Sequence, residues 1–585
     1  FRDFELRDPL RRLEEALDAA ESAAIPRPEA ETARKVAVRK GGPSDLSRLT
    51  GAELALAATA PEIPEGELLP RAAGWRFGAY AGGPHALAGE VDDPAQLVAA
   101  AGDRPVLAHD AKSLGEVPAN LVFDTEIAAY LLDPARRGYP LAELCEERGM
   151  AVDAEDPQAV DAVLIHELAG RQREQVRERG LEDLLHDIEL PLVHVLRETE
   201  KAGMKLDTAR LEQAGLGMRN DAAQLEREIW ELAGEEFMIG SPQQLAEVLF
   251  VKLGLSRKRR GKTGFSTDAR VLQAIRDEHP IVEKIERWRE LTKLVQTYLE
   301  QLPAAIGPDG RMHTTLLQTN TATGRLASIN PNLQNIPIRS EIGREIRACF
   351  IAEPGNVLLS IDYSQVELRV LAHIAGEDVL KDIFRRGEDV HAETASAVFG
   401  VPPEGITVAM RSKAKMVNFG IVYGLTGFGL SDRLNIPRKE GEEFVSRYLE
   451  RFPAVRAFRE QVIERAQEEG YVKTLMGRRR PIPELRSGNP NTRRLGERLA
   501  VNTVIQGTAA DIIKVAMVRC QRALRETGGE TRLVLQIHDE LLFEGPPGEM
   551  EAAAELVERE MCAAYPLEPP LEVDIGVGQD WLDAK

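Results

Sequence analysis

One stretch limits what this chain can fold into more than any other: an apolar run that stops at an aspartate and restarts with a different period. Val357–Ile361 has the length and composition of a buried strand, and Asp362 stands at its end. Beyond Tyr363, the residues Val366, Leu368, Val370, Leu371 and Ile374 share one broad helical face. A strand that runs straight into a helix gives the junction residue a rigid mount. A carboxylate held there can be aimed at a fixed point, as a metal ligand must be. Strand-end aspartates also serve as plain turn formers, so this stretch alone leaves both readings open.

Two further stretches narrow the choice. In Arg411–Gly424, RSKAKMVNFGIVYG, the residues Arg411, Lys415, Phe419 and Tyr423 recur every four positions. Each step of four drifts by roughly 40° around a helix, so these residues span about 120° of arc. Met410, Ala414, Val417 and Ile421 take the opposite side and suit a core. The outer face then carries two cations followed by two aromatics, which suits a triphosphate and a stacked base. A basic surface helix with half-buried aromatics would show the same pattern. In Arg532–Glu544, RLVLQIHDELLFE, two strand-like runs flank His538-Asp539-Glu540. That trio fits a tight hairpin turn with adjacent carboxylates at its tip, or a solvated turn with no further role.

Asp362 and Asp539 are thus carboxylates on separate predicted strands, with the cationic helix between them in sequence. That is the set a two-metal phosphoryl or nucleotidyl transfer site requires. At this point the chain resembles the family A DNA polymerases, and within them the large-fragment group of the bacterial polymerase I enzymes. Motif A of the family is matched by Asp362-Tyr363-Ser364-Gln365-Val366-Glu367. Motif B, R-x-x-x-K-x-x-x-F-G-x-x-Y-G, is matched by Arg411 through Gly424, and motif C by His538-Asp539-Glu540. The likeness runs from about Leu190 to Lys585.

The resemblance implies a multidomain α/β fold, an RNase H-like 3′–5′ exonuclease-type domain followed by a right-hand polymerase with palm, fingers and thumb. It divides the chain into an N-terminal helix and linker (1–45), an exonuclease-like domain (46–190) and a polymerase domain (191–585). Within the last, the thumb falls at about 191–320, the palm at about 321–370 and 501–585, and the fingers at about 371–500. The implied reaction is template-directed addition of dNTPs to a primer 3′-OH, serving DNA replication and repair. The implied partners are primer–template DNA and dNTPs, acting on a monomer in the bacterial cytoplasm, at the nucleoid.

The implied cofactors are two Mg²⁺ ions, with Mn²⁺ as a substitute, held by Asp362, Asp539 and the Tyr363 backbone carbonyl. Glu540 would be a secondary carboxylate. By the same resemblance Arg411, Lys415 and His391 face the triphosphate, with Lys415 also the general acid toward pyrophosphate. Phe419, Tyr423, Gln365 and Glu367 line the nucleotide site. Arg325, Gln334, Asn335, Asn502, Gln506 and His538 face the primer–template. Asn502 and Gln506 are four apart, on one face of a predicted helix. Polar side chains there can read minor-groove acceptors, which every base pair presents. Ser364-x-x-Glu367 also reads as a capping box, whereas in the family a glutamate at this place crowds the sugar 2′ carbon and excludes ribonucleotides. Phe419 in place of tyrosine implies discrimination against dideoxynucleotides. A single-subunit RNA polymerase, a non-catalytic clamp and a nuclease are the rivals. Glu367 speaks against the first, and the pair Asp362 and Asp539 against the second.

The rest of the sequence bounds these readings. At 585 residues the chain exceeds one core, and 43% hydrophobic with 29% charged residues fits a globular protein. A net charge of −21 means DNA must meet local basic surfaces. Candidates are Arg257–Lys262, Arg478-Arg479-Arg480 and Arg493-Arg494. The four cysteines are far apart, with no C-x-x-C pair, so neither a zinc site nor a disulfide framework is indicated. No apolar run is long enough to span a membrane. A first residue that is not Met suggests a fragment or processed product.

In chain order, Leu6, Leu10, Leu13 and Leu17 predict a helix, ended by Ile25-Pro26-Arg27-Pro28 and followed by Gly41-Gly42-Pro43. Leu54–Ala58 and Val106–Ala108 are predicted strands, with helical text after Thr125. The family's first exonuclease motif, D-x-E, should fall at Glu53–Pro61, where the text is ELALAATAP. The second should fall at His109–Leu114, with Leu114 in place of the catalytic Asp. The third should fall at Pro157–Asp161, with Pro157 in place of Tyr. One remaining carboxylate cannot hold two divalent ions, so a retained fold without proofreading is expected. Leu192, Val195, Leu196 and Thr199 predict a helix, and Ser241-Pro242 a capped helix start. Leu291–Leu302 predicts further helix, and Thr321–Arg339 an ordered loop in which Asn330 and Asn332 serve as loop stabilisers.

Overall fold

Six strands, Ala37–Lys40 (β1), Leu54–Thr59 (β2), Trp75–Tyr80 (β3), His85–Val91 (β4), Val106–Ala108 (β5) and Leu121–Asp124 (β6), pair in the order β1-β4-β3-β2-β5-β6. β2, β3 and β4 form an antiparallel meander, while β1 joins β4, β5 joins β2 and β6 joins β5 in parallel. The structure, a computed structural model, describes residues 33–61, 74–256, 260–261, 264–337, 341–434 and 436–585. The predicted helix of Leu6–Leu17 lies outside them. The linker expected up to residue 45 is corrected: Arg34–Lys35 and β1 are strands, and Gly41-Gly42-Pro43 ends β1 rather than extending a tether.

Thr125–Leu132 (α1) follows β6 directly, capped by Asp124, and Pro157–Glu178 (α2) lies on the sheet. α2 buries Ala159, Ala162, Val163, Leu168 and Ala169 on one stripe, small enough for close packing. Gly78 of β3 permits that approach, since a Cβ there would sit 1.9 Å from the Gln158 carbonyl oxygen.

Leu190–Ala202 (α3) buries Leu192, Val195, Leu196 and Thr199, as their spacing predicts. Thr208–Ala233 (α4) packs along Pro280–Leu294 (α5). The latter runs on through a π-helical turn at Val295–Leu299. Ser241 caps the short helix Pro242–Glu247, with Pro242 in its first turn. Of the basic run Arg257–Lys262, only Arg260–Gly261 is described, paired antiparallel with Gly264–Phe265.

A hairpin of Thr315–Leu317 (β7) and Ala327–Ile329 (β8) precedes the second main sheet. That sheet holds Val357–Tyr363 (β9), Arg532–Ile537 (β10), Glu540–Gly545 (β11) and Val573–Gly578 (β12), ordered β10-β11-β9-β12 and antiparallel throughout. β9 places apolar residues on both of its faces because both are covered. Leu359 and Ile361 enter one core, and Leu358 enters another with Trp581. Val366–Ala375 (α6), Val390–Phe399 (α7), Val408–Val422 (α8) and the long Pro490–Thr527 (α9) complete the frame, with α7 packed along α8.

Candidate active site

The junction expected at Asp362 is present. β9 runs to Tyr363, α6 begins at Val366, and Gln365 between them takes a φ of 55°. Such a left-handed turn is uncommon for a residue with a side chain, and here it reverses the chain without a loop. It leaves Gln365 Oε1 buried with no hydrogen-bond partner. The β10–β11 hairpin turns on His538-Asp539, with His538 at φ 52°, as a two-residue hairpin demands. Asp362 pairs across the sheet with Glu540, and the Tyr363 N–H donates to the Asp539 carbonyl at 3.2 Å. Asp362 at the end of β9 and Asp539 in the turn before β11 therefore lie at the same end of two neighbouring central strands.

The adjacent acids differ in setting: Asp539 is half-buried in the turn, whereas Glu540 opens β11. Glu540 is 3% exposed and points inward. Ser360 (2.8 Å) and Trp581 (2.9 Å) donate to its Oε1, and Lys585 Nζ to its Oε2 (2.7 Å). Burial would raise this carboxyl, but Lys585 and the other donors outweigh burial and hold it below its usual range. Asp362 behaves oppositely. Burial first, then the charge of Asp539, push it up to about 7 against the pull of Lys585, whose Nζ is 3.6 Å away. Burial also raises Asp539.

Asp362 Oδ1 is buried without a hydrogen-bond partner. Two raised carboxyls and an orphaned oxygen describe a site short of positive charge. Among the described residues no group of three or more His, Cys, Asp or Glu is placed to hold a metal, so the pair offers part of a coordination shell. A hard cation of the Mg²⁺ type takes one or two carboxylates and completes its octahedron with water and substrate phosphate. The donors fit that group.

α8 carries the cationic face. Arg411 is exposed, Lys415, Phe419 and Tyr423 are half-buried, and Ala414, Val417 and Ile421 are buried beneath, with Met410 half-buried. The rings of Phe419 and Tyr423 stack at 6.1 Å and 26°, and Lys415 Nζ lies 6.0 Å from the Phe419 ring. Arg411 Nε donates to Asp389 (2.5 Å), which also caps α7. His391 on α7 is 2% exposed, its ring 5.9 Å from Phe419. Thr394 donates to Asn418 Oδ1 (3.1 Å), which turns the Asn418 amide nitrogen toward His391 Nδ1 (2.9 Å). Nδ1 then accepts, and the proton of the neutral ring sits on Nε2. Burial first, then the Lys415 charge, lower this histidine to about 4.

The family model described as DNA polymerase family A matches residues 208–583. The chain belongs to that family. It is 46% identical over 468 residues to the thermostable DNA polymerase I of Thermus caldophilus, covering 79% of this chain and 55% of that protein. It is 44% identical over 487 residues to DNA polymerase I of Geobacillus stearothermophilus, covering 80% and 56%. The chain thus spans about 55% of the length of these curated relatives. Among solved structures, the POL domain of Pol1 from M. smegmatis, in complex with DNA primer-template and dNTP, superposes with a TM-score of 0.86 at 34% identity. The match covers 94% of this chain and 100% of that one. The fold described above is thus a mixed α/β family A polymerase fold.

In this family A chain Glu367 is 6% exposed, and its Oε1 accepts from Arg325 Nη2 at 2.5 Å. Burial raises the Glu367 carboxyl, opposed by Arg325 and the adjacent Tyr423 phenol. The expected capping box is corrected: Gln365, not Ser364, is the N-cap of α6, with no side-chain cap, and Ser364 Oγ donates to Asp574 instead (2.6 Å). The αL turn at Gln365 removes the geometry a box needs, so Glu367 has no capping duty.

Asn502 and Gln506 are the two half-buried residues in the otherwise buried stretch 500–510 of α9. With its nitrogen turned toward them, the Asn502 amide donates to the Val422 and Tyr423 carbonyls at 3.0 Å, tying α9 to the end of α8. Gln334 Nε2 donates to the Leu326 carbonyl (3.2 Å), Asn335 is exposed, and Asn332 caps their short turn. His538 is exposed at the hairpin tip. Arg478, expected on a basic surface, is corrected: it is 1% exposed and ion-paired with Glu189 and Asp511. Buried carboxylates on α9 and at the start of α3 claim it. Arg493 and Arg494 are exposed.

Sequence reasoning missed Lys585, Asn418 and Asp389. Asn418 carried a signal, being a polar residue on the core side of an amphipathic helix. Lys585 carried none.

In the N-terminal six-stranded sheet, β2 buries Leu54–Ala57 where a D-x-E is expected, and Leu114, in the turn after β5, is 1% exposed. Asp161 is half-buried on α2, with Pro157 at its first turn. Burial and the Asp124 charge raise Asp110 to about 6. Asp124 itself accepts backbone N–H groups of Asp110, Ala111, Glu126 and Ile127.

Proposed function

We propose that this chain is a template-directed DNA polymerase that extends a primer 3′-OH with dNTPs, and that it works in DNA replication and repair. The observation that carries the reading is the placement of Asp362 and Asp539 on adjacent strand ends, both with raised carboxyls. The second sheet would be the palm, α7 and α8 part of the fingers, and α4 and α5 part of the thumb, with the N-terminal sheet an exonuclease-type domain.

Two divalent cations held by Asp362, Asp539 and the Tyr363 carbonyl would acidify the primer hydroxyl and steady the leaving phosphate. Arg411 and Lys415 bring positive charge to the triphosphate, and Lys415 hands a proton to departing pyrophosphate. His391, neutral with its proton on Nε2, offers the phosphates a hydrogen bond rather than a charge. Phe419 and Tyr423 pack against the nascent base pair, and Glu367 crowds the sugar 2′ position. Asn502, Gln506, Arg325, Gln334, Asn335 and His538 track the primer–template. Glu540, saturated by Ser360, Trp581 and Lys585, braces the hairpin from beneath.

Proofreading is absent in this reading, because an alanine-rich β2 and a buried Leu114 leave too few carboxylates for a hydrolytic metal pair. The deciding experiment is primer extension on a defined template, with each divalent metal and each nucleotide type in turn. dNTP-specific, Mg²⁺-dependent extension is expected. Asp539→Ala should lose it by about a thousand-fold, the several kcal/mol such charge stabilisation supplies, while still binding primer–template. Extension with rNTPs alone, or an active Asp539→Ala, would refute the assignment.

A further inference from the structure

Three side chains of the N-terminal domain grip one short segment just ahead of Arg325. Lys112, in the turn after β5, donates to the Leu316 carbonyl and pairs with Glu200 at 2.6 Å; the same Glu200 oxygen accepts the Leu316 N–H at 2.8 Å. Glu126 Oε1 accepts from Thr319 Oγ1 at 2.8 Å. The Tyr130 hydroxyl donates to the Thr321 carbonyl at 2.8 Å. Glu126 and Tyr130 lie four apart on α1, hence on one face.

The contacts continue into the site. Thr321 Oγ1 donates to the Arg325 carbonyl (2.7 Å), and the Arg325 guanidinium holds Glu367 at 2.5 Å. α9 and its neighbours close the other side. Gly324 takes φ 89°, and a Cβ there would stand 2.7 Å from Arg478 Nε. The Thr323 carbonyl would be 3.1 Å from a Cβ on Gly507 of α9. The segment is therefore held from both sides at packing density, so displacement at one end is passed along rather than absorbed.

We propose that the N-terminal domain is a brace for nucleotide selection, in which Glu126 and Tyr130 are positioning residues that set Arg325 and, through it, the orientation of Glu367. This rests on the polymerase reading, in which Glu367 separates dNTPs from rNTPs. It gives a domain without an exonuclease carboxylate set a function beyond bulk. The link is an uninterrupted run of hydrogen bonds, with Tyr130 fully buried at its far end.

The test uses Tyr130→Phe and the double variant Tyr130→Phe/Thr319→Val in the full chain. Phe keeps the ring packed and removes only the hydroxyl. The ratio of ribonucleotide to deoxyribonucleotide incorporation should rise about fivefold in the double variant, within the range of coupling carried through packed networks. KM for dNTPs should rise while kcat stays within about twofold. Amide hydrogen exchange across 318–326 should accelerate in both variants. A lowered melting temperature with unchanged nucleotide selectivity would overturn the proposal and leave a merely structural contact. Unchanged exchange would overturn it as well. Wild-type extension is measured in parallel, so failure of the polymerase reading shows as an inactive wild type, while exchange still reports on the brace.

Discussion

Lys585 Nζ lies 3.6 Å from Asp362 Oδ2. Through its contact with Glu540 the same ammonium is anchored beside both carboxylates, where a divalent cation would also be drawn. An ammonium and a divalent cation about 4 Å apart repel by about 2 kcal/mol in a water-like dielectric, and salt screening around side chains about one-third exposed leaves roughly 1 kcal/mol of that. Lys585→Met should therefore lower the half-saturating Mg²⁺ concentration for primer extension at pH 8 by about fivefold. A Mg²⁺ titration of extension rate checks this, and an unchanged or higher requirement would place the ammonium outside the cation's field.

Asp362 sets a pH dependence of its own. Its carboxyl rises in the fold from 3.8 to about 7, so the folded protein binds a proton that the unfolded chain has released. The stabilising contribution is full below 3.8 and is lost as pH rises through about 7. In chelator, Asp362→Asn should melt higher than wild type at pH 8 and close to it at pH 5. Differential scanning calorimetry at the two pH values decides, and equal differences at both would refute the raised carboxyl. With metal present, proton competition should raise the half-saturating Mg²⁺ concentration by up to about tenfold per pH unit below 7.

Much of this site was legible in advance, for identifiable reasons. The Val357–Ile361 run and the every-fourth-residue spacing Arg411-Lys415-Phe419-Tyr423 are local signals, and the strand and helix they predict are present. The His538-Asp539 turn is equally local, because a two-residue hairpin needs polar residues that tolerate positive φ. What failed was non-local. Ser364-x-x-Glu367 satisfies a capping pattern, but the left-handed Gln365 and the distant Asp574 redirect Ser364. Three consecutive arginines read as a basic surface until Glu189 and Asp511, far away in sequence, converge on Arg478. Lys585 owes its role wholly to the sheet edge it folds against.

The proposed absence of proofreading has a direct assay. A primer with a mismatched 3′ end, incubated with Mg²⁺ and no dNTP, should stay full-length over the time in which wild-type extension of a matched primer is complete. The ground for the proposal is the apolar, buried text of β2 and the buried Leu114, at the places where carboxylates of a hydrolytic pair are expected. Restoring one carboxylate alone, as in Leu114→Asp, should not restore hydrolysis, since a single added ligand still leaves β2 empty of acid. Metal-dependent shortening by the purified wild-type protein would refute the prediction.

The buried ion cluster at Glu189 should govern how the N-terminal six-stranded sheet and its helices stay joined to the rest. Glu189 accepts from Arg478, from Lys514 at 2.7 Å and from Gln318 at 2.7 Å, while Arg478 also pairs with Asp511 at 2.8 Å. Two carboxylates face two cations, so the cluster is balanced and tolerates burial. Glu189→Gln leaves an excess cation there and should cost about 3–5 kcal/mol at pH 7. Glu189→Gln/Lys514→Met restores the balance and should recover part of that loss. Burial alone would raise Glu189, but Lys514 and Arg478 outweigh it and lower the carboxyl from 4.5 to about 2. A lowered carboxyl stabilises above its unfolded value and loses that contribution as pH falls from 4.5 toward about 2. Wild type should therefore lose stability steeply across that window and Glu189→Gln less so. Urea unfolding at pH 7 and a melting series from pH 5 to 2.5 measure both effects, and a parallel acid slope in the two proteins would remove Glu189 as the cause.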